Sequence, residues 1–254
     1  MNLLFTAILL IAQQTPQSST QFIIRIGTLL PETSNYGQYL KKVIKDIEEK
    51  GKGRLKFVLY AGGVLGDDPE IAQKLKKRNI EAAALSGFGF REFVPELAVI
   101  ELPFIFHSRV EAKYIRDKLR KTFEDIAEKR GIKILLFSSM LRIYIWSTKP
   151  IANLDATLKE RVWVWKDDPL AMSVAHAFGS ENIIPLSITE VERALKDDHI
   201  TMVYMSADEA ISLGWYKYLK YMITTPIIYP FGCVIMRMDA YNSLPSELRD
   251  ILEH

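Results

Sequence analysis

At 254 residues, 48% of them hydrophobic and 25% charged, the chain has material for one large domain or two smaller lobes with separate cores. Thirty-three basic against thirty-one acidic side chains leave a net charge of +2, which excludes a strong field of either sign. The Lys-rich stretches 41–46 and 113–130 are interleaved with acids and read as solvated helix faces, so nucleic acid is excluded as a partner.

In chain order, Leu3 to Ala12 is an uninterrupted apolar run, followed by the polar stretch Gln13 to Gln21 with Pro16 inside it. About ten apolar residues fall short of the roughly 20 that span a bilayer but suit the core of an export signal. No Lys or Arg precedes the run, and Ala12 is the best small residue for cleavage. Residues 1–21 are therefore expected to be a signal peptide and linker, and the mature chain to work in the periplasm or otherwise outside the cytoplasm.

Strand and helix signals then alternate. Gln21 to Leu29 reads as a buried strand, and Pro31 to Gly37 as a loop with Thr33, Ser34 and Asn35 as cap candidates. Leu40, Val43, Ile44 and Ile47 share one face of a helix over Tyr39 to Lys50, stopped by Gly51-Lys52-Gly53. Arg54 to Tyr60 alternates with period two as a strand. The glycine-rich turn Ala61 to Gly66 leads into a helix over Asp68 to Arg78 with Pro69 in its first turn. Short strands are expected at Ile80 to Leu85 and Val99 to Leu102, and a long amphipathic helix at Arg109 to Arg130. Strands follow at 132–138, 142–147 and 161–165, then a helix at Pro169 to Phe178. A short helix at 189–196 takes Thr189 as its N-cap, ahead of a strand at 200–205 and a helix at 207–218. Ile227 to Met236 reads as a strand returning to the first half, and Ser243 to Leu252 as the start of a helix. The order predicts an α/β chain with largely parallel sheets flanked by helices.

Catalytic motifs do not emerge from the residues. His107, His176, His199 and His254 have no second ligand at metal spacing, so neither metal nor cofactor is expected. The carboxylate pairs Asp67-Asp68, Asp167-Asp168 and Asp197-Asp198 sit at helix ends, where capping explains them as well as acid–base work does. The turn Gly62 to Asp67 lacks the endings of a phosphate loop and reads as a tight turn that lets backbone approach a ligand. Cys233, the sole cysteine, precludes an internal disulfide and lies among apolar neighbours as a small buried hydrophobe. Trp163 and Trp165 share a face of one strand, and Trp146, Tyr144, Tyr204 and Trp215 lie near other element ends. Such a set packs a core or lines an apolar pocket.

Together, Ala61 to Asp68, Pro95 to Phe106, Lys149-Pro150-Ile151 with Asn153-Leu154-Asp155, and Glu190-Val191 through Leu195 resemble the DctP-type solute-binding receptors of TRAP transporters, in order over residues 22–252. The resemblance implies a two-lobed, type II periplasmic-binding-protein-like fold. Lobe 1 would take residues 22–140 plus 226–242, lobe 2 residues 141–225, and 243–254 the start of a C-terminal helix that the family usually continues; the chain is either truncated or a short form. It also implies a ligand enclosed at the hinge and delivered to a membrane permease driven by an ion gradient. The usual ligands are organic acids held by an Arg on the strand after the Lys-Pro-Ile segment.

Here Val164, or a neighbouring Trp, stands where that Arg is expected; Arg142 and Arg161 are the basic candidates out of register. Leu29, Ser86, Tyr204 and Met205 occupy the matching positions of other loops, and Gly63 lies in the tight turn expected to bring backbone to the ligand. The Trp-Val-Trp-x-x-Asp-Pro form resembles a divergent subgroup with an apolar pocket, some of which work with a tetratricopeptide-repeat partner. A hydrophobic ligand stacked on Trp163 or Trp165 and flanked by Phe88, Tyr144, Tyr204, Met205 and Trp215 is the resulting expectation, with an organic acid at Arg142 as the other. The rivals are an α/β enzyme using Asp67, Asp168 or Arg142, and a ligand-free interaction protein.

Overall fold

A computed structural model describes residues 20–137 and 141–253. The expected export signal lies outside the described residues except for Thr20 and Gln21. The first half contains strands β1 (Phe22–Thr28), β2 (Leu55–Tyr60), β3 (Ala82–Ser86) and β4 (Ile132–Phe137), with helices α1 (Asn35–Lys50), α2 (Asp68–Lys76), α3 (Gly87–Phe90) and α4 (Arg109–Lys129) between them. The second half contains β5 (Tyr144–Ser147), α5 (Leu154–Leu158), β6 (Arg161–Trp165), α6 (Pro169–Ala177), β7 (Asn182–Leu186), α7 (Ile188–Lys196), β8 (Met202–Met205), α8 (Ala207–Ser212) and β9 (Tyr221–Met222). The chain then returns through β10 (Gly232–Arg237), α9 (Met238–Asn242) and α10 (Ser246–Glu253).

The strands form two five-stranded sheets, ordered β2-β1-β3-β10-β4 and β7-β6-β8-β5-β9. Both follow one plan. Three parallel strands are followed by one antiparallel strand and then by a strand that runs with the first three. The reversed strand of each lobe, β10 or β5, is the one through which the chain has just crossed from the other lobe. The fold is thus a two-lobed α/β architecture with mixed, mostly parallel sheets. The two crossing segments touch: Ile143 and Ile228 form an antiparallel bridge, with Ile143 N–H donating to Ile228 O at 3.0 Å and Ile227 N–H to Ile143 O at 2.8 Å.

Local sequence explains most element ends. Ser34 caps α1 through the Gly37 N–H, Ser108 caps α4 through Glu111, and Asp168 caps α6. Where the expected elements differ, the cause is visible. Val99–Leu102 is not a strand: Pro95–Glu101 winds as a 3-10 helix. Its buried apolar side chains, Leu97 and Ile100, are three apart, whereas Val99 and Leu102 are exposed, so the apolar burial follows a helical period. Strand β7 was hidden by Pro185, which is harmless at a sheet edge. The N-cap of α7 is Ser187 rather than Thr189, and with Glu190 it completes a capping box. The helix expected to reach Tyr218 stops at Ser212 because Gly214, at φ +74°, turns the backbone left-handed before a 3-10 turn at Trp215–Lys217. The returning strand begins only at Gly232, after Pro230 interrupts the ladder.

Lobe 1 has a core on each side of its sheet. One centres on α2, α3 and α4 with Ile71, Leu75, Phe90 and Phe123; the other joins Ile24, Leu55 and Met236 to Tyr241, Leu244 and Leu248 of the C-terminal segment. Lobe 2 packs Val191, Leu195, Ile200 and Val203 around Trp163 and Trp215. Cys233 is buried in the first core, and burial pushes its thiol well above the ordinary range. None of the described helices is long and apolar enough to cross a membrane.

The start of α1 depends on a glycine that the helix itself would not choose. A Cβ on Gly37 would lie 2.1 Å from the Pro31 carbonyl oxygen, a backbone atom that cannot swing aside. Gly37→Ala is expected to destabilise lobe 1 by about 1–3 kcal/mol through overpacking, read as a lowered thermal midpoint. An unchanged midpoint would show that the Pro31 loop does not hold α1.

Candidate functional site

The parallel strands of both lobes end at one seam. Ser86 closes β3, Trp165 closes β6 and Met205 closes β8, and between them lies a cavity of about 350 Å³. Carboxyl ends of parallel strands are where α/β sheets hold ligands. The wall is mostly hydrocarbon. Phe88 and Phe104 come from lobe 1, Ile143, Ile227 and Ile228 from the crossing segments, and Val162, Leu170, Val174 and Leu213 from lobe 2.

The aromatic floor follows from the period of β6, which sends Trp163 and Trp165 to the same side. Trp163 stacks on Tyr204 at 5.2 Å, meets Trp215 edge-on at 5.5 Å, and donates its indole N–H to Leu186 O at 3.0 Å. Trp165 lies 5.8 Å from Trp163 and 5.1 Å from the Phe88 ring of the opposite lobe. Burial pushes the Tyr204 phenol upward, so it remains neutral.

Of the residues singled out in the sequence, Ser86, Phe88, Trp163, Val164, Trp165, Tyr204 and Met205 line the cavity. Leu29, Gly63, Arg142, Tyr144 and Trp215 are outside its wall. Leu29 packs on the lobe 1 core, and Gly63 faces Leu29 and Thr189 at the seam between lobes. Trp215 is buried behind Trp163, and Tyr144 meets Trp146 edge-on. Arg142 is exposed beside the crossing segment. Arg161 sits at the opposite end of β6, bonded to the carbonyls of His199 and Asp198.

Of the charged wall, Asp168 is singled out in the sequence only for the rival enzyme; Arg91, Glu101 and Glu209 were not foreseen. Arg91, just after α3, donates to Asp168 of lobe 2 at 2.6 Å, lies 3.6 Å from Glu101, and sits over the Phe88 ring at 5.5 Å. The other Asp168 oxygen accepts from the Leu170 and Ala171 N–H groups at the start of α6. Glu101 is 7% exposed and presses against Gly87, where a Cβ would overlap its carboxyl. Burial drives this carboxyl from 4.5 up to about 7, opposed by Arg91 and reinforced by Asp168. Asp68, wholly buried, rises from 3.8 to about 6 for the same first reason, despite hydrogen bonds from the Ser86 amide and hydroxyl. A charge inside the apolar run Val99 to Phe106 was the one sequence signal for Glu101.

A second contact joins the lobes. One oxygen of Asp67, at the start of α2, accepts from Ser187 Oγ at 2.7 Å, the Ile188 N–H at 3.2 Å and the Trp165 indole at 3.3 Å. A carboxylate of lobe 1 thereby supports the N-terminus of α7 in lobe 2.

The sequence matches the model of the bacterial extracellular solute-binding proteins of family 7, DctP, over residues 26–254. The chain belongs to that family. It is 26% identical to a solute-binding protein of Chromohalobacter salexigens over 225 residues, 87% of this chain and 66% of that protein's length. It is 20% identical to the 2,3-diketo-L-gulonate-binding periplasmic protein of Escherichia coli, over 90% of this chain and 70% of that one. Among solved structures, a Bordetella pertussis extracytoplasmic solute receptor binding pyroglutamic acid superposes with a TM-score of 0.84 at 18% identity, covering 91% of this chain and 76% of that one. A TRAP periplasmic solute-binding protein of Haemophilus influenzae with bound L-gulonate gives 0.82 at 24% identity, covering 92% and 76%.

Two outcomes follow from the buried carboxyls and the seam. A carboxyl with a raised folded-state pKa binds its proton more tightly folded than unfolded. Its contribution is therefore present below about pH 4.5 and lost as pH rises towards 7. Urea unfolding of wild type should show stability falling over that window, and Glu101→Gln should remove on the order of 3 kcal/mol of the fall. Identical pH profiles would place Glu101 in water. Asp67→Ala should loosen the lobes by roughly 2 kcal/mol, seen as a larger radius of gyration in X-ray scattering; an unchanged radius would make the contact incidental.

Proposed function

We propose that the protein is an extracytoplasmic solute receptor that encloses a small, largely apolar molecule between its lobes and hands it to an ion-gradient-driven, TRAP-type permease. Membership of the solute-binding family supports the receptor class. The apolar ligand rests on one observation: Arg91, the one cation among the described residues of the cavity wall, is already bound to Asp168 at 2.6 Å. A sugar acid or other organic acid would enter a hydrocarbon cavity with no cation of its own, at a desolvation cost of several kcal/mol. An apolar body instead gains about 25 cal/mol for each Å² it removes from water against Trp165, Phe88 and the isoleucines.

Enclosure works by hinge motion, because a ligand held by both lobes favours the state in which they meet. Ile143 and Ile228 mark the hinge, and the Asp67 and Arg91 contacts mark the meeting surfaces. A tetratricopeptide-repeat protein as an additional partner rests on the sequence resemblance alone.

Protein purified from an exporting cell should carry an apolar molecule, detected by native mass spectrometry and recovered by denaturing extraction. Trp165→Ala should weaken binding roughly tenfold, or about 1.4 kcal/mol, by removing the aromatic that spans both lobes. Recovery of a sugar acid or another small organic acid instead would overturn the apolar reading.

A further inference from the structure

Among the charged side chains that line the apolar wall, Glu101 is the one that takes part in no hydrogen bond among the described residues. Glu101 reaches the cavity, is more than nine-tenths buried, and accepts no hydrogen bond from the described residues. Its nearest cation, Arg91, stands 3.6 Å away and directs its short contact to Asp168 instead. Glu209, also on the wall, is occupied by the Ser206 amide and hydroxyl within its capping box. The wall therefore carries one cation, whose short contact goes to Asp168, and a Glu101 carboxyl with no hydrogen-bond donor and only a share of the Arg91 charge at 3.6 Å.

We propose that Glu101 is the ligand's polar anchor, and that the molecule taken up is an apolar amine whose ammonium group donates to the Glu101 carboxylate. The proposal rests on the apolar-receptor reading above and specifies the one polar end that such a ligand carries. An ammonium supplies the missing hydrogen-bond donors and adds the positive charge that Arg91, shared with Asp168, provides only in part, in surroundings where a poorly paired carboxylate is costly. A hydroxyl would supply a donor and leave the charge unbalanced. A carboxylate would add a third negative charge beside Asp168 and Glu101. The groups facing Glu101 are Arg91 after α3, Asp168 at the start of α6 and the neutral Cys233 thiol of β10. Because burial leaves the Glu101 carboxyl partly protonated at neutral pH, capture of an ammonium expels that proton.

The test uses three probes with one apolar body, 4-phenylbutylamine, 4-phenylbutanol and 4-phenylbutyrate, titrated calorimetrically into the full chain. The amine should bind at least tenfold tighter than the alcohol, with the carboxylate weakest. Amine binding at pH 7 should release protons, seen as an enthalpy that varies with the buffer's ionisation heat. Glu101→Gln should lose both the tenfold preference and the proton release. Gly87→Ala, which displaces the Glu101 carboxyl without removing it, should weaken the amine selectively; a thermal melt of each variant checks that it is folded. If all three probes bind alike and Glu101→Gln changes nothing, the anchor is wrong and the apolar receptor stands. If the carboxylate binds tightest, or none of the probes binds, the apolar receptor and the anchor both fall.

Discussion

The arrangement of the cavity turns on the contact between Arg91 and Asp168. It joins lobe 1 to lobe 2 at 2.6 Å, and both side chains are largely withdrawn from water. A buried pair of this kind returns little net stability, because desolvation offsets much of the attraction; its consequence is for specificity. Asp168 is already fixed by the Leu170 and Ala171 amides, so the cation is drawn to a carboxylate that cannot follow a ligand. The cation of the wall is thus held by the wall itself, while Glu101 accepts no hydrogen bond from the described residues.

The topology makes this possible. Each lobe completes its sheet with a reversed strand supplied as the chain crosses between lobes, so two connections run side by side at Ile143 and Ile228. The carboxyl ends of the parallel strands face each other across these paired crossings. Asp67 and Arg91 lie on lobe 1 at that seam and find partners on lobe 2. The enclosing contacts therefore come from polar groups, and the space that they enclose is hydrocarbon.

Much of the fold was legible as period and punctuation. Helices α1, α2, α4 and α6 and strands β1, β2, β3 and β6 follow from local patterns and caps that neighbouring residues supply to one another. The misses have the opposite character. Edge strand β7 tolerates Pro185 only because of its place in the sheet, and Val99–Leu102 winds helically because its neighbours bury every third residue. The aromatic floor could be anticipated, since Trp163 and Trp165 are two apart on one strand. The exclusion of Trp215 and Tyr144 from the wall could not, because it depends on which neighbour stands in front of each.

The sequence by itself determined the family, the alternation of strands and helices, and an apolar, aromatic character around residues 161–165, since each is carried by residues close together in the chain. Only the tertiary structure decided the charge of the site. Arg91 and Asp168 are 77 positions apart, and Asp67 and Ser187 are 120 apart, so no local pattern reports that they meet. Whether a buried carboxyl is matched or left open depends on distances of a few ångströms between separate lobes, and folding alone sets those distances.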